Sequence, residues 1–381
     1  MDIKYFDNAA TTRIKEEVLQ EMKPYLIEQF GNPSSLYSIG RKSKKGIEEA
    51  RKRVAKLINA DPNEIIFTAG GSESDNTIIK GIAYKNRDRG RHIITSKIEH
   101  PAILNTCKLL ERKGFIITYL NTDKNGVIDL KQLKESIRYD TILVSIMYAN
   151  NEIGTIQPIK EISQISKMNN VIFHTDAVQA CGNVPIDVKK DKIDALSLSG
   201  HKIGAPKGIG ALYVKKGIEF EKLIEGGHQE KNKRAGTENV AGIVGLGMAC
   251  ELAKENMENH IKHLEQLREH FILRIENEIE NKKLNGDRYN RLPGNVNYSF
   301  ENIEGENLLL RLDEKGICVS SGSACSSGED KPSHVLTSIG LDNKLARSAV
   351  RISFGDDNTM EDVDYLVNNL KRIIIELRNK E

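Results

Sequence analysis

Six short apolar runs, separated by segments of helical periodicity, occupy residues 45 to 215 and leave few folds open. They are "EIIFT" (64–68), "HIITS" (92–96), "FIITYL" (115–120), "TILVSIM" (141–147), "VIFHTD" (171–176) and "DALSLS" (194–199). Each is bounded and mostly continuous in hydrophobicity, the pattern of strands covered on both faces. The spacers read as helices: within 43–59, Ile47, Ala50, Val54, Leu57 and Ile58 fall on one face. Such alternation predicts an α/β domain with a mainly parallel sheet.

After Val240 the texture changes. A Gly-rich stretch leads into "CELAKENMENHIKHLEQLREHFILRIENEIE", a long helical segment in which a domain junction is expected. Beyond it, "GNVNYSF", "ICVSS" and "AVRISFG" read as strands and "MEDVDYLVNNLKRIIIELRNK" as a final amphipathic helix, giving a smaller α+β domain. A chain of 381 residues is long enough for two such domains.

Charge and cysteine usage narrow the function. The 56 Lys and Arg nearly cancel the 54 Asp and Glu, so no nucleic-acid footprint is expected. The N-terminal "MDIKYFDNAATTRIK" lacks the apolar centre of a signal peptide and no run approaches a membrane span, so a cytoplasmic protein without a membrane partner is expected. The five cysteines form no CxxC pair and leave one thiol over under any pairing, which argues against structural disulfides and a zinc site. Cys107 and Cys250 sit in helix-like apolar patterns and Cys318 in a strand-like one, where cysteine serves as a small hydrophobe. Cys325 differs: "SGSACSSGEDKPSH" surrounds it with glycines, serines and charges.

In open α/β sheets, ligands bind beyond the carboxyl ends of the strands. The first run is followed by "AGGSESDN", where Gly71 and Ser72 precede a helical pattern and offer N–H groups and a hydroxyl to an anion. A turn capped by Ser72 would look the same. After "VIFHT" come Asp176 and Gln179, and after "DALSLS" comes "GHKIGAPKGIG", with Ser199, His201 and Lys202. A lysine hemmed by glycines can act as an amine nucleophile. A lysine for a Schiff base, an acid against a ring nitrogen and a helix start for phosphate are the parts that pyridoxal 5'-phosphate (PLP) requires. Singly, each has a bland alternative: helix cap, solvated loop charge, turn. Together, in chain order on one sheet edge, they favour PLP. His100, after the second run and before Pro101, could stack on such a ring and exchange protons. His174 reads as a hydrogen-bonded core residue, and the role of His228 in "EGGHQEKNKRAGTEN" is left open.

The motifs "FDNAATT" (6–12), "GNPSS" (31–35), "NNEIG" (150–154), "HTDAVQ" (174–179), "SGHKIGAPKGIGALYV" (199–214), "RAGTENV" (234–240) and "SSGSACSS" (320–327) together resemble the NifS/IscS-type cysteine desulfurases over nearly the whole chain. The resemblance implies fold type I of the PLP-dependent transferases and a homodimer with shared active sites. On it, residues 15–257 would form the large PLP-binding domain, and 1–14 with 258–381 the small domain carrying the catalytic cysteine loop. Lys202 would carry the cofactor, Asp176 pair with the pyridine nitrogen and His100 stack on the ring. Gln179 and Asn151 would contact the ring oxygen and substrate. Gly71, Ser72, Ser199 and His201 would hold the phosphate, with Thr237 reaching in from the other subunit. Arg351 would grip the substrate carboxylate, a task suited to a bidentate guanidinium; its alternative is a structural ion pair.

The resemblance also gives Cys325 a task. Its thiolate would take sulfur from L-cysteine, leaving L-alanine and a protein persulfide, with His100 accepting the proton of the substrate thiol. Gly322 and Gly328 would supply the backbone freedom to pass that sulfur to an acceptor protein, an iron–sulfur scaffold or a tRNA-thiolation enzyme. Two departures stand out. "GGHQE" puts His228 where a third glycine is common, and the chain stops at "ELRNKE", so docking a scaffold through a C-terminal extension is not expected. Two other functions fit parts of the pattern: a related PLP aminotransferase or selenocysteine lyase that does not need Cys325, and a catalytically silent sulfur-transfer scaffold.

Overall fold

The computed structural model describes residues 3–321 and 332–379; Cys325, Gly322 and Gly328 lie outside them. In chain order the strands are β1 (Lys4–Tyr5), β2 (Ile65–Thr68), β3 (His92–Ser96), β4 (Ile116–Leu120), β5 (Thr141–Ser145), β6 (Ile172–Asp176), β7 (Ala195–Ser199), β8 (Gly210–Val214), β9 (Lys282–Leu284), β10 (Asn295–Phe300), β11 (Ile317–Cys318) and β12 (Ala349–Ser353). Seven of them form one sheet in the order β2-β8-β7-β6-β5-β3-β4. Only β8 runs against its neighbours, pairing antiparallel with β2 and β7. Every residue of β2, β3, β5, β7 and β8 is buried, whereas β4, at the edge, exposes Ile116.

All six apolar runs are strands of this sheet. The seventh strand, β8, is not among them, because packing removes the side chain that would mark its start. At Gly210 a Cβ would stand 2.6 Å from Leu198 O and 2.7 Å from Gly70 Cα. A second difference concerns the Gly-rich stretch after Val240, which is not a lead-in but the first turns of one 39-residue helix, Val240–Glu278. Its glycines are sites of close approach: a Cβ at Gly245 would meet Met22 Sδ at 2.5 Å, and one at Gly247 would meet Ala50 Cα at 2.6 Å.

This helix joins two cores. Its first half, with Ile243, Leu246 and Cys250, packs with the large sheet and helix Ser38–Ile58. Its second half, with Leu264, Phe271 and Ile275, packs with Phe6, Tyr298, Val350 and Leu370. The latter core lies under an antiparallel sheet, β12-β10-β9, and helix Met360–Arg378, which starts at a Thr359/Asp362 capping box. The expected strand "ICVSS" is shorter than its apolar run: β11 pairs with β1 for two residues, after which Ser320 bridges to Arg351. Among the described residues, no helix is long and apolar enough to cross a membrane.

Candidate active site

The carboxyl ends of β2, β3, β5, β6 and β7 open on one edge of the large sheet. Beyond β2, Gly70 has φ +153° and caps helix Gly71–Lys85, a backbone conformation that favours glycine. At Gly71 a Cβ would lie 2.6 Å from Val178 Cγ2. The helix start therefore lies against the β6 loop with its first N–H groups toward a cavity of about 460 Å³, lined by Gly71, Ser72, Ser199, His201, Thr11 and Lys207 among others. Exposed N–H groups, hydroxyls and nearby cations make this an anion cradle. His201 Nδ1 lies 3.2 Å from Thr11 Oγ1, and burial with Lys202 nearby lowers its pKa to about 4.

Next to the cradle, Lys202 Nζ donates to the carbonyls of Ala9 and Ala10, both at 2.6 Å. Gln179 Nε2 donates to the same Ala9 carbonyl at 3.0 Å. Asp176 ends β6, is buried, and accepts the Val178 N–H at 2.9 Å. Burial raises its carboxyl above the usual range, against the pull of His100 and Lys202. His100 is the N-cap of helix Pro101–Glu111, its Nδ1 accepting the Ala102 N–H at 3.1 Å. Burial lowers its pKa, against the pull of Asp176, and with Nδ1 accepting, the ring proton is assigned to Nε2. The proton-acceptor role expected of His100 would fall to Nδ1, which here accepts the Ala102 N–H.

The third group of residues comes from the loop after β5 and from β12. Arg351 is buried, with Nη2 2.7 Å from Asp7 Oδ1 and Nη1 3.1 Å from Asn151 O. The structural ion pair considered for Arg351 thus exists, and a substrate carboxylate would have to share the guanidinium with Asp7. Ser320 exchanges backbone hydrogen bonds with Arg351 at 3.2 and 2.6 Å. Ser333 donates its hydroxyl to the buried Glu152 at 2.5 Å. These two serines stand upstream and downstream of the segment that holds Cys325.

Lys202, Asp176, His100, Gln179, Ser199, His201, Gly71 and Ser72 are therefore gathered on one edge, with Asn151 and Arg351 linked beside them. Thr237 and His228 are exposed and line no part of this cavity. His174 bridges Ser145 and Ser197 at 2.9 and 3.0 Å in the core, as expected. Cys107, Cys181 and Cys250 are buried, and burial raises the thiol pKa of each, that of Cys107 to about 12. Sequence reasoning missed Asp7, Ala9 and Ala10 as site residues. The motif "FDNAATT" was the only signal for them, since two of the three act through carbonyls.

The Aminotransferase class-V family model matches residues 4–366. A protein of Clostridium botulinum named cysteine desulfurase IscS is 56% identical over 376 residues, 98% of this chain and 95% of that protein. One of the same name from Methanosarcina thermophila is 55% identical, covering 98% of this chain and 93% of its own length. Among solved structures, a NifS-like protein superposes with a TM-score of 0.93 at 40% identity, over 98% of this chain and all of that one. A structure titled SspA in complex with cysteine gives 0.82 at 40% identity, over 93% of this chain and all of that one. By family model, sequence and α/β fold alike, the chain is a member of the class-V aminotransferase family, within its NifS/IscS-type cysteine desulfurases.

Proposed function

We propose that the protein uses PLP to convert L-cysteine to L-alanine, passing the sulfur to Cys325. The Cβ–S bond of the substrate breaks, an S–S bond forms on the Cys325 sulfur, and the proton of the enzyme thiol balances the new methyl group. The observation that carries the reading is the convergence of Lys202, Asp176 and the anion cradle on one sheet edge. These groups fit PLP. The glycine-lined helix start suits a phosphate, the buried Asp176 carboxyl suits a protonated ring nitrogen, and Lys202 is within reach of both. Bound there, the cofactor would supply an electron sink for charge developing at the substrate Cα.

The chain's own residues do the rest. Lys202 Nζ would anchor the cofactor; here it donates to the Ala9 and Ala10 carbonyls. Gly71, Ser72, Ser199 and His201 would hold the phosphate, Gln179 and Asn151 would face the ring oxygen and substrate, and Arg351 would orient the carboxylate. His100 would stack on the ring and accept the proton of the substrate thiol. Thr237 completes the phosphate site of a second subunit in a homodimer, and its exposure agrees with that. The two cores support a large domain of 15–257 and a small one of 1–14 with 258–381. The persulfide would serve an acceptor protein in the cytoplasm, an iron–sulfur scaffold or a tRNA-thiolation enzyme.

The test is to incubate PLP-loaded protein with L-cysteine and follow alanine release together with the mass of the Cys325 peptide. Alanine with a sulfur adduct on that peptide is expected. Cys325→Ala should keep the PLP absorbance and bind L-cysteine but form no persulfide. Wild-type turnover in that variant would overturn the assignment.

A further inference from the structure

Strand β10 has the sequence "NVNYSF", and all six residues are buried. Val296, Tyr298 and Phe300 fill the small core. Asn295, Asn297 and Ser299 face the other way, a buried polar row. Buried amides on a strand carry a desolvation cost unless each is paired, so their partners reveal what the row does.

Ser299 Oγ accepts from Asn285 Nδ2 at 2.9 Å, whereas the two asparagines, with Arg291, donate to consecutive carbonyls of the loop that bears Asn151. Asn151 O accepts from Asn295 Nδ2 at 3.3 Å and from Arg351 Nη1 at 3.1 Å. Glu152 O accepts from Asn297 Nδ2 at 3.2 Å. Ile153 O accepts from Arg291 Nη2 at 2.7 Å. The orientation of the Asn297 amide is fixed by its other end, because Asn285 Nδ2 donates to Asn297 Oδ1 at 2.8 Å. Asn297 also stands directly opposite Arg351 in the β10/β12 ladder. One residue therefore touches the Asn151 loop with its side chain and the strand of Arg351 with its backbone. At Gly154, φ +76°, a Cβ would meet Asn295 Oδ1 at 2.8 Å, so the loop closes tightly on this row.

We propose that Asn297, with Asn295 and Arg291, is a positioning residue: the three hold carbonyls 151 to 153 in register with Arg351 and thereby fix the spacing between Asn151 and the guanidinium. This deepens the proposed function, since it assigns those two groups to the substrate. Of the proposed cofactor contacts the clamp holds only Asn151; Lys202, Asp176 and the cradle belong to the large sheet. Its loss should weaken substrate binding while leaving PLP in place. Asn297→Asp is the sharpest probe, keeping the size and the acceptor for Asn285 but removing the donor to Glu152 O.

The experiment uses the PLP-loaded full chain and two readouts. In Asn297→Asp, KM for L-cysteine should rise about tenfold while kcat stays within about threefold, the signature of lost ground-state binding. PLP should stay bound, since Lys202, Asp176 and the cradle are untouched. In parallel, amide hydrogen exchange of residues 150–156 should speed up without substrate, with the large-sheet strands unchanged. If Asn297→Asp fails to fold, Asn295→Ala at the rim and Arg291→Lys carry the same measurements. Unchanged exchange at 150–156, or a fall in kcat with KM unaltered, overturns the clamp. Failure of the functional reading is separate: wild-type protein would release no alanine, and the exchange data would still decide whether the clamp exists.

Discussion

Glu99 adjoins His100 yet was given no role in the sequence reading. Its carboxyl is fully buried, accepting from Ser96 Oγ at 2.5 Å and from the Met147 N–H at 3.1 Å. Burial raises its pKa from 4.5 to about 8. Between those values the folded chain holds a proton that the unfolded chain has released, so this residue's contribution to stability falls as pH rises. Glu99→Gln should remove that slope. The stabilities of variant and wild type from urea unfolding should differ by a constant at pH 4 and below, then shift in favour of the variant toward pH 8 by on the order of a few kcal/mol. Parallel curves across that range would show that Glu99 is ionised when folded. At this scale, what the sequence made legible followed chemistry. Asp176 and Lys202 stand just after strands, where their side chains announce a site. Ala9 and Ala10 reach Lys202 across nearly two hundred residues through carbonyls, which leave no trace in residue identity, and Asp7 reaches Arg351 across 344.

Between elements, the close approach of helix Val240–Glu278 to helix Ser38–Ile58 depends on a missing side chain. Ala would be the better helix former at Gly247 by about 1 kcal/mol, but its Cβ would sit 2.6 Å from both Ala50 Cα and Cβ. Backbone cannot yield as a side-chain tip can, and overpacking costs about 1–3 kcal/mol. Gly247→Ala should therefore lower the urea midpoint at unchanged m-value; a raised midpoint would mean that the helices are not in contact there. The same physics explains why the helix start was misread. Glycine in a sequence signals a turn when conformation requires it and a contact when packing does, and the letter is the same. Strands covered on both faces were legible because their apolar runs have no other use, and β8 was lost where a glycine again served a contact.

At the scale of the whole molecule, one stretch carries several exposed large apolar side chains close together: Leu26, Ile27, Phe30, Leu36 and Tyr37 are each more than half exposed, Phe30 at 73% and Leu36 at 88%. An apolar stretch of this kind is ordinarily a contact surface, and the proposed homodimer supplies the occupant. The stretch leads into helix Ser38–Ile58, where buried Arg51 holds both oxygens of Glu230 at 2.8 Å, one of which also accepts the Phe67 N–H. Glu230, Lys231 and Asn232 all have positive φ, a strained run for residues with side chains, and the bidentate pair fastens it. The loop bearing Thr237 is thus tied to the helix that follows the apolar stretch. If a second copy covers that stretch, assembly and completion of the phosphate site are one event. Phe30→Asp combined with Leu36→Asp should give a monomer in sedimentation velocity that releases PLP more readily. Thr237→Val should weaken PLP retention while the mass stays that of the dimer. A double variant that remains dimeric with full PLP affinity would place the interface elsewhere, and one that becomes monomeric with PLP affinity intact would remove Thr237 from the partner's site.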